Sequence, residues 1–412
     1  MSSAQRFLAE LAQLTADPPG FTRASYGAGE QTAHDLAQRE AEKLGLEVTT
    51  DPVGNLYMTL PGQDRTLPAV LTGSHLDSVR HGGNFDGAAG VAAGLGMVER
   101  VQAGNISPLR DITVIAIRAE ESVWFPSSYI GSRAIFGQLS KHELDTTRRS
   151  DTGRSLADHI RNAGFNPDHI SDGIGFRSPA DIAAFFEVHI EQGPILENEN
   201  TTLGLVTGVR GSVRYRQARC LGAYGHSGAT PRSHRRDAVF ATAELIQSVE
   251  ARWRHFEDIG EDLVVTIGVL QTDPEQHAFS KVPGETGFSI DTRALCRGTL
   301  DTFEAELMQL CDQIGKQRNV TFDLGQRTTS DCNSLDVELL DRLDDLARVS
   351  GISHRLMASG GGHDASVFAG NGVPSALIFV RNQNGSHNPG EGMEQKDLDQ
   401  AISLLSAFLE TY

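Results

Sequence analysis

Four apolar stretches of this chain each run into histidine, aspartate or glutamate, and that repetition limits the fold more than any other feature. Residues 68–74 (PAVLTGS) lead to His75 and Asp77, and a glycine-rich turn then presents Asp86. Residues 111–119 (DITVIAIRA) end on Glu120 and Glu121. Residues 183–190 (AAFFEVHI) close on His189, with Glu191 and Gln192 beyond, and residues 375–380 lead to His387. Continuous rather than alternating apolarity marks a strand buried on both faces, hence a parallel sheet covered by helices. Such a sheet gathers the residues that follow its strands along one edge, where open α/β folds place their sites. The stretch from Gly87 to Val101, rich in Ala, Gly and Leu, predicts a helix packed closely on that sheet. The class expected is α/β.

The pattern changes near Gly211. Residues 212–221 (SVRYRQARCL) alternate as a strand, 236–256 read as a helix, 263–271 and 286–293 as strands, 299–316 as a helix and 319–325 as a strand. This β-α-β-β-α-β order is that of a split βαβ, ferredoxin-like unit. After about residue 330 the α/β pattern returns, with a helix at 335–349, a strand at 375–380 and a closing helix at 395–411. A chain of 412 residues is long enough for two cores. We therefore expect two domains: residues 1–211 and 331–412 form one discontinuous α/β domain, and residues 212–330 an inserted α+β domain.

Charge narrows the partners. A formal net charge of −18 excludes the basic face that a nucleic-acid backbone requires. No stretch approaches the ~18 apolar residues that span a bilayer. The four cysteines (Cys220, Cys296, Cys311, Cys332) lie far apart with no CxxC pair, which reads as reduced thiols rather than a disulfide framework. The first residues, MSSAQRFLAELAQLTADPPG, lack the basic start and apolar run of a secretory leader. The expected location is cytoplasmic.

Neutral imidazoles and carboxylates are ligands for zinc, manganese or cobalt. Glu120 and Glu121 together end an apolar strand, where two adjacent buried carboxylates are costly without a cation. The segment GGNFDGAAG lacks both Gly-Lys-Ser/Thr and GxGxxG, so it is not a nucleotide loop. Its glycines let the backbone turn tightly enough for Asp86 to join the cluster.

These segments, GSHLDSVRHGGNFDG, RAEES, EVHIEQG and NGSHNPGE in that order, resemble the hydantoinase/carbamoylase amidases. That family sits within the aminoacylase and carboxypeptidase group of two-metal enzymes. The likeness runs from about Asn55 to Glu391, and HIEQGP at 189–194 is its most specific part. The resemblance implies two divalent metal ions per subunit, zinc or manganese with cobalt or nickel as alternatives. Asp86 would bridge them, His75 and His189 would complete one set of ligands, and Glu121 and His387 the other. Glu120 would be the general base, and Asp77 would fix the tautomer of His75. The inserted domain would act as lid and homodimer surface, with hinges near 210–213 and 328–332. GAYGHSGATP at 222–231 resembles the segment whose histidine, here His226, stabilises the developing oxyanion. Arg293 matches the arginine that clamps a substrate carboxylate, Gln192 the amide-reading glutamine, and Gly361, in SGGGHDA, the substrate-side glycine loop.

The chain departs from the family pattern on the substrate side. HAFSKVPG at 277–284 has Ser280 where relatives carry asparagine, and FVRNQNGSHNP has Arg381 and Asn382 where Pro-Ser is common. In EESVWFPSSYIGSR, Trp124, Phe125 and Tyr129 either wall a pocket or pack beneath a loop. The metal set is intact. The activity implied is hydrolysis of a C–N bond in an N-carbamoyl-L-amino acid or related carboxylate-bearing ureido acid. The alternatives are an N-acyl amino-acid amidase or dipeptidase with the same metals, and, more distantly, a non-catalytic binding protein.

Overall fold

The apolar runs become neighbours in one sheet. Ser375–Val380, Ile182–Ile190, Ala69–His75 and Ile112–Ile117 lie side by side in that order, and all run parallel. The structure, a computed structural model, describes residues 1–170, 173, 175–410 and 412. Every residue of Ala69–His75 and of Ile112–Ile117 is buried, as continuous apolarity requires. Antiparallel strands extend the sheet on both sides: Leu203–Val209 beside Ser375–Val380, and Leu56–Leu60 then Glu47–Thr50 beyond Ile112–Ile117.

Helices cover both faces. Ala88–Ala103 lies on one, with Ser3–Leu14 and Gln395–Leu409 packed against it. Close approach depends on Gly90, where a Cβ would stand 2.3 Å from the Val188 carbonyl oxygen and 2.6 Å from Ser74 Cβ. Successive side chains of Ile182–Ile190 serve opposite layers: Phe186 meets Phe408 at 4.9 Å, while Phe185 stacks on Phe368 at 3.9 Å. Phe368 belongs to the helix Asp364–Gly370 on the second face. The α/β expectation holds.

Two compact units are present, Met1–Thr207 with Ser334–Tyr412, and Gly208–Asn333. The second unit carries an antiparallel sheet in the order Val264–Thr266, Glu285–Ala294, Gly211–Leu221, Thr321–Asp323. The helices Ala238–Asp258 and Arg297–Arg318 pack with it around one core. Glu285–Ala294 alternates strictly between partly and fully buried residues, the signature of a sheet with one covered face. The strand expected over 263–271 is broken into Val264–Thr266 and Leu270–Thr272. An extra residue bulges there: Thr266 opposes Asp291 and Leu270 opposes Phe288, leaving three residues between them on one strand against two on the other. Ser289 secures the bulge, its Oγ accepting from the Val269 N–H at 3.0 Å.

The four cysteines are free thiols. Among the described residues, no helix is long and apolar enough to cross a membrane.

Candidate metal centre

The four parallel strands end on the same edge of the sheet and deliver His75, Glu120 with Glu121, His189 and His387. Three non-glycine residues in the left-handed region turn the chain there: Ala119 (φ 53°), Gln192 (φ 64°) and His387 (φ 59°). Such backbone costs roughly 1–2 kcal/mol per residue and persists only where its surroundings enforce it. At Ala119 the enforcement is visible. Its N–H donates to Glu30 Oε1 at 2.9 Å, and Glu30 is ion-paired at 3.0 Å with the buried Arg118. The kink lies immediately before Glu120 and Glu121, whose neighbours differ: Glu121 joins Asp86 and His387, and Glu120 is in neither ligand group.

One group of ligand atoms consists of His75 Nε2, His189 Nε2 and Asp86 Oδ1. The two nitrogens are 3.4 Å apart, and they lie 3.5 and 3.3 Å from the oxygen. His75 Nδ1 lies 3.1 Å from the Asp77 carbonyl oxygen, and His189 Nδ1 lies 2.9 Å from that of Ile190. A carbonyl only accepts, so each Nδ1 carries a proton, and in the neutral ring a cation requires, each Nε2 presents a lone pair. Asp86 Oδ1 is buried and receives no hydrogen bond. Three buried lone-pair donors converging at this spacing suit a cation about 2 Å from each. The residues therefore fit a divalent metal.

Asp86 Oδ2, Glu121 Oε1 and His387 Nε2 form a second group, with the imidazole nitrogen 3.2 and 3.3 Å from the two oxygens. Asp86 belongs to both groups. Electrostatically the cluster takes up positive charge. Burial alone lowers His75 and His189, yet the Asp77 and Asp86 carboxylates beside it raise His75 well above its ordinary 6.5, and Asp86 raises His189. Asp86 and Glu121 push His387 up to about 11. Burial raises Glu120 well above the usual carboxylate range, aided by the charge of Glu121. A third set, Glu187, His189 and His363, is support rather than a separate site. The Glu187 oxygens accept from Ser74 Oγ at 2.6 Å and the Ala365 N–H at 2.7 Å, and His363 Nε2 meets Ser359 Oγ at 3.0 Å.

Asp77 was expected to orient His75. Its carboxylate does stand 3.4 Å from Nδ1, but the nearer contact is its own backbone carbonyl. The carboxylate accepts from Ser25 Oγ at 2.6 Å and from the Glu120 and Glu121 N–H groups at 3.0 and 3.2 Å, and so helps to set the position of both glutamates. Glu191 is no ligand: it caps Ile195 and Leu196 at 2.8 and 2.7 Å.

Three supporting residues escaped the sequence reading. Buried Arg23 donates to the carbonyls of Leu76 (2.7 Å) and Asp86 (3.2 Å), steadying the glycine-rich turn from beneath. Glu391 accepts from the Phe85 and Asp86 N–H groups at 2.8 and 3.2 Å, and its other oxygen lies 2.6 Å from Ser386 Oγ. Ser386 Oγ is also 2.6 Å from Asp86 Oδ2. Ser386 and Glu391 stand in the quoted SHNPGE segment, which was the signal available for them; for Arg23 there was none.

On the substrate side, Gln192 Nε2 donates to Asp86 Oδ2 at 2.9 Å. Gly361 lies beside it, since a Cβ there would be 3.2 Å from Gln192 Oε1. Trp124 and Phe125 are buried in a local core, with Trp124 Nε1 donating to the Ser78 carbonyl at 2.7 Å, so packing beneath the loop is what they do. Tyr129 is partly buried, and its hydroxyl takes the space a Cβ on Gly362 would need. His226, Ser280 and Arg293 belong to the Gly208–Asn333 unit. There Gly225–His226 pairs with Lys281–Val282, bringing His226 and Ser280 near each other, and the Arg293 guanidinium holds Asp291 at 2.9 Å.

The class this sheet and cluster define is a metal-dependent hydrolase. The chain belongs to peptidase family M20/M25/M40, whose model matches residues 60–411. It is 33% identical over 406 residues to the allantoate amidohydrolase of Escherichia coli (strain K12), covering 97% of this chain and 95% of that one. It is 32% identical over 402 residues to an N-carbamoyl-L-amino-acid amidohydrolase of Paenarthrobacter aurescens, with 97% and 95% covered. A crystal structure of an amidase of the hydantoinase/carbamoylase family from Burkholderia multivorans matches with a TM-score of 0.90 at 28% identity, covering 100% of this chain and 98% of that one. The resemblance carried by the motifs thus extends over the whole chain.

Proposed function

We propose that this chain is an amidohydrolase that cuts a C–N bond of an N-carbamoyl-L-amino acid or a closely related ureido acid, with two divalent metal ions, zinc or manganese. The observation that carries the reading is Asp86 shared between two ligand groups, with Glu120 adjoining one of them. His75, His189 and Asp86 would hold one ion; Asp86, Glu121 and His387 the other. When bound, the ions polarise a carbonyl and make a water acidic enough to ionise near neutral pH.

The remaining chemistry belongs to side chains. Glu120, buried and proton-avid, takes a proton from the attacking water as that water adds to the ureido carbonyl carbon. It then returns the proton to the departing nitrogen as the C–N bond breaks. Asp77 keeps Glu120 and Glu121 in register through their N–H groups. Gln192 and the Gly361 loop read the ureido group, Arg293 clamps the carboxylate, His226 steadies the oxyanion, and Ser280 takes the place of the family's asparagine. The Gly208–Asn333 unit serves as lid and homodimer surface, and the enzyme works in the cytoplasm. Hydrolysis of the ureido group yields ammonia and carbon dioxide with the amino acid.

The test is ammonia release from manganese- or zinc-loaded protein offered N-carbamoyl-L-amino acids, β-ureidopropionate and allantoate, beside N-acetyl and dipeptide controls. Rapid ammonia from a ureido substrate supports the reading. Amino acid freed only from the controls moves the enzyme to the acylase side with the same two-metal site.

A further inference from the structure

The two oxygens of Asp86 have unlike surroundings. Oδ1 faces His75 Nε2 and His189 Nε2 and no hydrogen-bond donor reaches it. Oδ2 faces His387 Nε2 at 3.2 Å and also meets two donors, Gln192 Nε2 at 2.9 Å and Ser386 Oγ at 2.6 Å. A carboxylate oxygen offers about two lone-pair directions. Gln192 takes one of them, and the single Ser386 proton, set between Asp86 Oδ2 and Glu391 Oε2 at 2.6 Å each, competes for the other.

Only one of these donors is free to leave. Ser386 Oγ is set between Asp86 and Glu391, and Glu391 in turn is fixed to the Phe85 and Asp86 N–H groups. Gln192 is anchored through its backbone, whose N–H donates to Asn382 Oδ1 at 3.0 Å. Its side chain is flexible and partly exposed, with Nε2 3.4 Å from His387 Nε2. The amide nitrogen therefore borders two atoms of the second ligand group, Asp86 Oδ2 and His387 Nε2.

We infer that the cation held by Asp86, Glu121 and His387 enters as the Gln192 amide swings off Asp86, so that the two cations load in order and the second one releases Gln192 toward the substrate. This rests on the two-metal reading above. The first group gives up less: its rings are buried, their tautomers are set by backbone carbonyls, its carboxylate oxygen accepts nothing, and the one donor in the way is the neutral Gly87 N–H, 3.2 Å from His189 Nε2. The second group has a half-exposed histidine and must displace a hydrogen bond to a charged oxygen. It is the weaker site, and Gln192 sets by how much. Once released, the amide stands at the rim beside Gly361 and His387, able to donate and accept. Occupancy of the second site and recognition of the substrate's own amide are then one event.

The experiment titrates metal-stripped full-length protein with Co²⁺ alone, read by calorimetry and by the visible absorption of the bound ion. The native chain takes up two equivalents in two steps. Gln192→Leu tightens the second step about five- to tenfold, the value of one hydrogen bond to a charged acceptor, and leaves the first within twofold. Ser386→Ala vacates the other lone pair, so in that background Gln192→Leu changes the second step by less than twofold. Two equivalents with a second step unchanged or weakened in Gln192→Leu overturn the inference alone. A single equivalent in every variant overturns the two-metal reading and the inference with it.

Discussion

The glutamate pair shows how neighbouring side chains come to sit in different surroundings. Glu121 stands with Asp86 and His387, whereas Glu120 is raised well above the usual carboxylate range by burial. Glu120→Gln keeps the shape and removes the proposed base, so kcat should fall by about 10²–10⁴ while metal content measured on the purified variant stays unchanged. A variant that loses metal would instead make Glu120 a ligand. Asp51 offers a second test, away from the cluster. Burial pushes its carboxyl from 3.8 up to about 6, although Asn55, Tyr57 and Val53 all donate to it. The folded chain thus holds this proton to higher pH than the unfolded chain does. Its stabilising contribution is full below pH 3.8 and is lost as pH rises through about 6. In Asp51→Asn the fall in stability across that window should be shallower by about 1–3 kcal/mol, read from urea midpoints at several pH values. At this scale the ligand types were legible because imidazole and carboxylate side chains are rare at the ends of apolar strands. Arg23 and the Ala119 kink were not, since a buried arginine and a left-handed alanine leave no mark in a single sequence.

Helix Ala88–Ala103 carries the clearest test of how elements are spaced. An alanine at Gly90 gains about 1 kcal/mol of helix propensity, but its Cβ meets backbone 2.3 Å away on the strand that delivers His189. Overpacking of this kind costs about 1–3 kcal/mol and outweighs the gain. Gly90→Ala should lower the denaturant midpoint and weaken metal binding together; a stabilised variant would show that the helix can lift off the sheet without cost. Continuous apolar runs located the four central strands, because burial on both faces leaves no other composition. The helix Ala28–Lys43 and the strands Leu203–Val209 and His354–Ser359 were missed. Polar residues break the pattern in Ala28–Lys43 and His354–Ser359, and two glycines interrupt Leu203–Val209, so tertiary packing supplies what the pattern lacks. The break near Gly268 was hidden for the opposite reason: a bulge inserts one residue without disturbing apolar content.

At the scale of the molecule, the ligand candidates His75, Asp86, Glu121, His189 and His387 all lie in the Met1–Thr207 and Ser334–Tyr412 unit. A cation bound only by the folded state adds stability by mass action, about 2.7 kcal/mol per site at a hundredfold excess over Kd. Chelation should therefore lower the Tm of that unit by several degrees, and added Mn²⁺ or Zn²⁺ should restore it in proportion to its concentration. A Tm indifferent to chelator would mean that the cluster binds no cation tightly. The motif order revealed the family across the whole chain, yet substrate-side residues were the hardest to read, because their neighbours are set by loops rather than by strand periodicity. The separation of the ligands along the chain also bears on biosynthesis. Asp86 meets Ser386 across 300 residues, and His387 and Glu391 arrive with the same late segment. A nascent chain has all three candidate ligands of the first group once His189 has left the ribosome, whereas the second cannot close until residues 386–391 have followed. A chain truncated before Ser386 would keep the His75, Asp86 and His189 group and lack the one that His387 completes.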